Sequence, residues 1–272
     1  MTDQAAKYDH FLALHQGPAP LLMPNAWDRG SAALLASLGF EAIATTSSGF
    51  AATLGQLDNS VTRDQALEHS RIMAASVSIP VSADLENCFA DDPAGVAETV
   101  RLATGTGLAG CSVEDSTGRS DDPIYEPGLA AERVAAAVEA AHGSGPRLVL
   151  TARAENFLHG RPDLKDTIAR LQAYQAAGAD VLYAPGLTTL DDIRAVVGSV
   201  DRPVNVLTFA GTPDVTQLAG AGVRRISVGG AFAFAAYGAL ADAARELREQ
   251  GSYGFLTAAR TGRNAMQAAF GD

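Results

Sequence analysis

Three short apolar runs in this chain each end in charged side chains whose types and spacing could do chemistry. The first, Pro80-Val81-Ser82-Ala83-Asp84-Leu85-Glu86-Asn87, closes on two acids. Side chains of an extended strand alternate in direction, which sets Ser82, Asp84 and Glu86 on one face and Val81, Ala83 and Leu85 on the other. Carboxylates on such a face demand a cation or hydrogen-bond donors once they leave water. The second run, Gly110 to Asp115, places Ser112 and Glu114 together, and the third, Arg147 to Glu155, places Thr151, Arg153 and Glu155 together. Asp84, Glu86 and Glu114 make an oxygen-only donor set without a His or Cys partner. That chemistry suits a hard cation, Mg²⁺ or Mn²⁺, better than zinc. The competing reading is ordinary ion pairing at strand ends.

Other candidates carry two readings each. Arg153 with Glu155 is either a rim ion pair or a fork for a substrate carboxylate, which a guanidinium matches with parallel hydrogen bonds. Ser47-Ser48-Gly49 is either a plain turn or a backbone cradle for an anionic oxygen. Gly229-Gly230 either seats a second anion on the following helix or serves close packing. His159 is a loop acid or base, or a solvated side chain. Cys111 points away from Glu114 by parity and reads as a packed thiol, whereas Cys88 sits in a rim loop where reactivity stays open.

The elements that must position these groups repeat at intervals of about 25 to 40 residues: a short apolar strand, a loop, then a helix ending in Gly. Strands are expected at 21–27, 42–47, 80–86, 110–115, 147–155, 181–185, 203–208 and 224–229. Helices are expected at 3–16, from Asp28 to Gly39, after Thr62, from Asp92-Pro93, and at 129–142, 163–177, 231–249 and 253–270. A small polar turn is expected at Ser48-Gly49. Segment 116–128, polar and broken by Pro and Gly, reads as a loop of the kind that serves as a lid. About eight units imply a closed α/β barrel of the (β/α)8 TIM type, in which strand C-termini build the site. No G-x-G-x-x-G opens a helix, which argues against an open dinucleotide-binding sheet.

A chain of 272 residues, 47% hydrophobic, suits one barrel domain over 1–272, with 253–270 as a C-terminal helical extension. The formal charge of -11 disfavours nucleic acid and anionic membrane surfaces as partners. The charge-free stretch from Ile226 to Leu240 is short for a membrane span. Two cysteines and no secretory signal make a reducing cytoplasm the expected location.

The runs Ala83-Asp84-Leu85-Glu86-Asn87, Ser112-Val113-Glu114-Asp115, Thr151-Ala152-Arg153-Ala154-Glu155 and Thr46-Ser47-Ser48-Gly49 together resemble the isocitrate lyase/phosphoenolpyruvate mutase superfamily. The resemblance implies an Mg²⁺ site at Asp84, Glu86 and Glu114, a backbone cradle at Ser48-Gly49-Phe50, Arg153 as carboxylate anchor, and Asp58 as a rim aspartate with a catalytic role beside Arg153 and Glu114. It implies a small 2-oxo or 2-hydroxy carboxylate substrate and a metal-stabilised enolate. The classical lyases of the superfamily carry a Lys-Lys/Arg-Cys-Gly loop after the fourth strand, and here loop 116–128 has no Cys. The mutases and phosphonopyruvate hydrolases carry a basic, amide-bearing loop, and here Arg119 is the sole basic residue and Asn is absent. Cys88 stands where a glycine is usual. The leading expectation is therefore an Mg²⁺-dependent lyase of C–C bonds. C–P chemistry on phosphonopyruvate, or a barrel that binds 2-oxo acids without turnover, are the alternatives. The resemblance also implies a C-terminal helix that can swap between subunits of a homodimer or homotetramer.

Overall fold

Pro24 decides how the barrel closes. In the computed structural model, which describes residues 3–271, the first strand is broken there into β1 (Leu21–Met23) and β2 (Asn25–Ala26). Proline has no N–H to give a ladder, so it sits at such breaks. The two pieces face opposite neighbours: β1 pairs with β9 (Arg225–Ser227), and β2 pairs with β3 (Ile43–Thr45). Asn25 stitches the seam. Its Nδ2 donates to the Thr45 carbonyl at 2.7 Å, and its Oδ1 accepts from the amides of Val228 and Gly229 at 3.1 and 2.9 Å.

Between these ends run β4 (Val81–Asp84), β5 (Gly110–Glu114), β6 (Val149–Arg153), β7 (Val181–Tyr183) and β8 (Val204–Leu207), each parallel to its neighbour. The sheet therefore counts nine strands rather than eight, and the TIM-type expectation holds. Most helices start where the caps foretold. Asp28 and Ser31 form a capping box at α2 (Arg29–Ser37), Thr62 caps α4 (Arg63–Ser76), Asp92 caps α5 (Pro93–Thr104) and Asp163 caps α7 (Leu164–Ala176). Further helices are α1 (Asp3–Leu14), α6 (Pro127–Ala141), α10 (Ala231–Arg245), which runs into a π-helical turn Glu246–Gln250, and α11 (Leu256–Phe270).

Three expectations need correction. The strand expected over 80–86 stops at Asp84, and the one over 147–155 stops at Arg153. The polar turn at Ser48-Gly49 is instead a short helix, α3 (Ser47–Thr53), capped by Thr46. Two more short helices, α8 (Leu190–Val197) and α9 (Val215–Gly220), complete the last units; with 8 and 6 residues they offer too few turns for a readable period.

Outward-facing strand residues, among them Val81, Val113, Leu150, Leu182 and Val206, pack beneath the helices in the main core. Inside the barrel a smaller cluster of Leu21, Ala42, Val149 and Val181 is plugged from the N-terminal end by Tyr8 and Phe11 of α1. Gly110 makes room for that plug, since a Cβ there would lie 2.7 Å from the Val149 carbonyl and 2.8 Å from the Phe11 ring. Above the plug lies a polar layer: Arg225 donates to Asn205 Oδ1 at 2.9 Å and Thr151 Oγ1 at 3.1 Å, and meets His15 Nε2 at 3.3 Å. Among the described residues no helix is long and apolar enough to cross a membrane.

Burial, then the neighbouring Arg225 guanidinium, lower the His15 pKa to about 3. The unfolded chain therefore takes up a proton near the ordinary value of 6.5 that the folded chain refuses until about 3. Stability contributed by neutral His15 is complete above the unfolded pKa and falls as the pH drops through that window, by up to about 1.4 kcal/mol per pH unit. Urea titrations from pH 7 to 4 should show this slope in the wild type and a shallower one in His15→Asn.

Candidate active site

The C-terminal ends of β4, β5 and β6 deliver Asp84, Glu114 and Arg153 to one rim, because alternate residues of each strand point into the barrel. Arg153 sits among the acids. Its Nη1 lies 2.9 Å from Asp84 Oδ1 and 3.2 Å from Glu114 Oε2, and its Nε donates to Glu155 Oε1 at 2.9 Å. Burial works against the guanidinium's charge, but Glu155, Glu114 and Asp84 together hold its pKa well above the usual value. Asp84 is further oriented by the Ser47 amide at 3.2 Å and the Ser112 hydroxyl at 3.4 Å. Behind the rim, Asp115 Oδ1 accepts from the Glu155 amide at 2.8 Å while Oδ2 accepts from Arg170 at 3.0 Å and Tyr174 at 2.6 Å. This buried, fully bonded carboxylate locks the ends of β5 and β6 together.

Glu86 arrives differently from the way strand alternation suggests. It follows the end of β4 in a turn where Glu86, Cys88 and Phe89 take φ of 50, 59 and 57°, a left-handed conformation that costs non-glycine residues about 1 kcal/mol or more each. Arg133 of α6 holds that turn. Its guanidinium is buried, donates to the carbonyls of Asn87 at 2.7 Å, Asp91 at 2.8 Å and Ala90, and stacks 3.9 Å above the Tyr125 ring. Cys88 thus takes the backbone that a glycine would adopt freely. Its thiol is fully buried and burial pushes its pKa up to about 12, so the open question of reactivity is answered against it. Cys111 is equally buried, facing outward into the main core.

A cavity of about 180 Å³ opens at this rim. Ser47, Ser48, Asp58, Asp84 and Arg153 line it. Asp58 stands at the lip; partial desolvation, then the Asp84 charge, raise its carboxyl above the usual range, while a Ser47 hydroxyl bond works the other way. Of the foreseen cradle, only Ser48 lines the cavity. Gly49 N is turned to the Thr46 hydroxyl and Phe50 N to the Thr46 carbonyl, and the Phe50 ring stacks on His69 at 3.9 Å. Gly49 is required for space: a Cβ would lie 2.6 Å from Thr46 Cγ2. Gly229 and Gly230 also line it, and Gly230 lies beside Ser48: a Cβ there would come within 2.6 Å of Ser48 Oγ. His159 is exposed and outside the cavity. Loop 116–128 also stays outside; it folds back as a hairpin, with Ser116 bridged to Ile124 and Arg119 paired with Asp91.

Sequence reading passed over Tyr183, Asn205, Arg225 and Ser227, which form the far wall. The signal was present as single polar residues at inward parity in the last three strands.

Among the described residues no three His, Cys, Asp or Glu side chains are arranged as a ready set of metal ligands, Asp84, Glu86 and Glu114 included. The donor set still fits Mg²⁺, which keeps several waters and takes only one or two carboxylates. Glu86 Oε1 is buried without a hydrogen-bond partner. Burial, followed by the charges of Asp84 and Asp58, raises the Glu86 carboxyl to about 8, and burial with Glu155 and Asp84 nearby raises that of Glu114 despite Arg153. Acid exceeds base at this rim, and a divalent cation would balance it.

Residues 11–248 match the family model described as phosphoenolpyruvate phosphomutase. The chain belongs to this family. It is 52% identical to a Burkholderia cenocepacia J2315 protein provisionally described as a lyase/mutase, whose crystal structure superposes with a TM-score of 0.94 over 97% of this chain and 96% of the other. An uncharacterised protein of Mycobacterium tuberculosis is 32% identical, covering 88% of this chain and 89% of its own. The 2-methylisocitrate lyase of Escherichia coli K12 is 30% identical over 71% of this chain and 68% of its own. The superfamily resemblance carried by the rim motifs is thereby borne out. Members of the family and its relatives act as lyases, mutases or hydrolases on 2-oxo acid chemistry.

Arg133→Met should leave three buried carbonyls without donors and release the strained turn. A loss of about 3 kcal/mol or more in denaturant unfolding is expected, and a change within 0.5 kcal/mol would show that the turn holds itself.

Proposed function

We propose that this chain is a divalent-cation-dependent lyase that breaks a C–C bond next to a 2-oxo or 2-hydroxy carboxylate and releases an enolate. The observation that carries the reading is the buried, unpartnered Glu86 Oε1 beside Asp84 and Asp58, acid chemistry that calls for a second cation besides Arg153. Similarity to a 2-methylisocitrate lyase supports it.

Asp84, Glu86 and Glu114 would hold Mg²⁺ or Mn²⁺, which when bound supplies Lewis-acid polarisation of substrate oxygens. The chain's own residues do the rest. The Ser47 amide, the Ser112 hydroxyl and Arg153 fix the direction of the Asp84 carboxylate, so no reorganisation is needed when substrate arrives. Arg153 keeps Glu114 and Glu155 in place across β5 and β6. Asp58 is the proton carrier: raised above the usual carboxylate range, it is a stronger base than a solvated aspartate, and it opens onto the cavity. With a 2-hydroxy acid, Asp58 takes the hydroxyl proton, the electrons of that O–H bond form the new C=O, and the C2–C3 bond breaks. Its electron pair passes to the other fragment as an enolate, which a proton then quenches.

The phosphonopyruvate reading draws less support, because Arg119, the one basic residue of loop 116–128, is committed to Asp91 and Asp122. A homo-oligomer is part of the proposal. On α10 only Ala233 is buried, and Phe232, Phe234, Tyr237 and Leu240 lie exposed, as does Leu22 on the outer face of β1. Apolar surface of this kind on the last barrel helix suits exchange with a second copy.

Turnover of oxaloacetate, substituted malates and isocitrate-like acids should disappear in EDTA and return with Mg²⁺, and Asp84→Asn should lower kcat roughly 10²–10³-fold. Undiminished turnover in EDTA would end the metal reading; saturable binding without product from any compound would favour a binding barrel. Light scattering should report a dimer or tetramer, and a monomer would contradict the exchange.

A further inference from the structure

Arg225 and Arg153 both face the cavity, and they are partnered in opposite ways. Arg153 lies within ion-pairing distance of three carboxylates. Arg225 is 3% exposed, and its bonds go to neutral groups: the Asn205 amide oxygen, the Thr151 hydroxyl and the His15 ring. His15 cannot serve as its anion. Arginine only donates, so His15 Nε2 is an acceptor; its proton then sits on Nδ1, which lies 2.8 Å from the Phe11 carbonyl. Among the described residues no carboxylate pairs with Arg225; burial opposes its charge, and after the Tyr183 phenol the next influence is the like charge of Arg153. A buried cation without an anion is a costly arrangement unless a ligand completes it.

The geometry points to Arg225, flanked by Asn205 and Ser227, as the subsite that receives a second carboxylate of the substrate, so that the substrate is a dicarboxylate with one end anchored here. One guanidinium among uncharged Asn and Ser side chains matches a singly charged, planar group. A dianionic phosphonate would need further cations, which this wall lacks. Arg153 turns Nε and Nη1 to Glu155, Asp84 and Glu114 and belongs to the acidic end of the cavity. The assignment rests on the lyase reading for the other end of the substrate, where the 2-hydroxy or 2-oxo carboxylate would meet the acidic rim.

The test is calorimetric titration of the full chain with malate and with lactate, which differ by one carboxylate, in Mg²⁺ and again in EDTA. Malate should bind at least tenfold more tightly than lactate. Arg225→Gln should erase that preference while lactate affinity stays within about twofold. Asn205→Asp should also erase it, by handing the guanidinium an internal carboxylate, and its melting temperature should not fall, so a folding defect in the first variant leaves the test intact. A malate preference that survives in Asn205→Asp, or that is missing in the wild type, overturns the subsite. If only the metal reading is wrong, EDTA changes neither affinity and the Arg225-dependent preference persists. If only the subsite is wrong, EDTA weakens both ligands and the variants leave their ratio unmoved.

Discussion

Crowded negative charge at one end of the barrel is the constraint on which the rest of this structure depends. Asp58, Asp84, Glu86, Glu114 and Glu155 feel one another closely enough that burial and mutual repulsion raise several of their carboxyls together. In a low-dielectric rim such repulsion would splay the strand ends apart. Arg153 prevents it by bridging three of the acids, and Asp115 secures the same strands from behind through Arg170, Tyr174 and the Glu155 amide. The rim keeps more acid than base, and the proposed cation site rests on that excess.

Three arginines near the site divide the work by the company they keep. Arg133 gives its donors to backbone carbonyls and its face to Tyr125, which makes it a fastener for the left-handed turn that carries Glu86. Arg153 gives its donors to carboxylates and belongs to the acidic rim. Arg225 gives its donors to neutral groups and keeps an unbalanced charge in the cavity wall. Guanidinium chemistry is identical in all three, and the partners assign the role.

The hairpin at 116–128 belongs to the same scheme. Arg119 and the Tyr125 hydroxyl both reach Asp91, at the foot of the turn that Arg133 holds. This loop is therefore tied to the turn bearing Glu86, and it braces that turn from outside the cavity.

Much of this was legible in the chain. Period-two alternation in Val81–Asp84, Gly110–Glu114 and Val149–Arg153 names the inward residues correctly, because side-chain direction in a strand is a local property. Caps such as Thr62 and Asp92 mark helix starts for the same reason. What lay beyond reach depended on distant contacts. Glu86 enters the site through a strained turn that needs Arg133, 47 positions later in the chain. Tyr183, Asn205, Arg225 and Ser227 are isolated polar residues until barrel curvature brings them to one wall. The sequence by itself determined the strand faces, the acid content of the rim and the helix boundaries, all of which are set by neighbours a few residues apart. Only the tertiary structure decided that the first strand splits at Pro24 to close the ring, and that Arg153 meets carboxylates while Arg225 meets only neutral groups, since a charge acquires its partner only when separate strands meet.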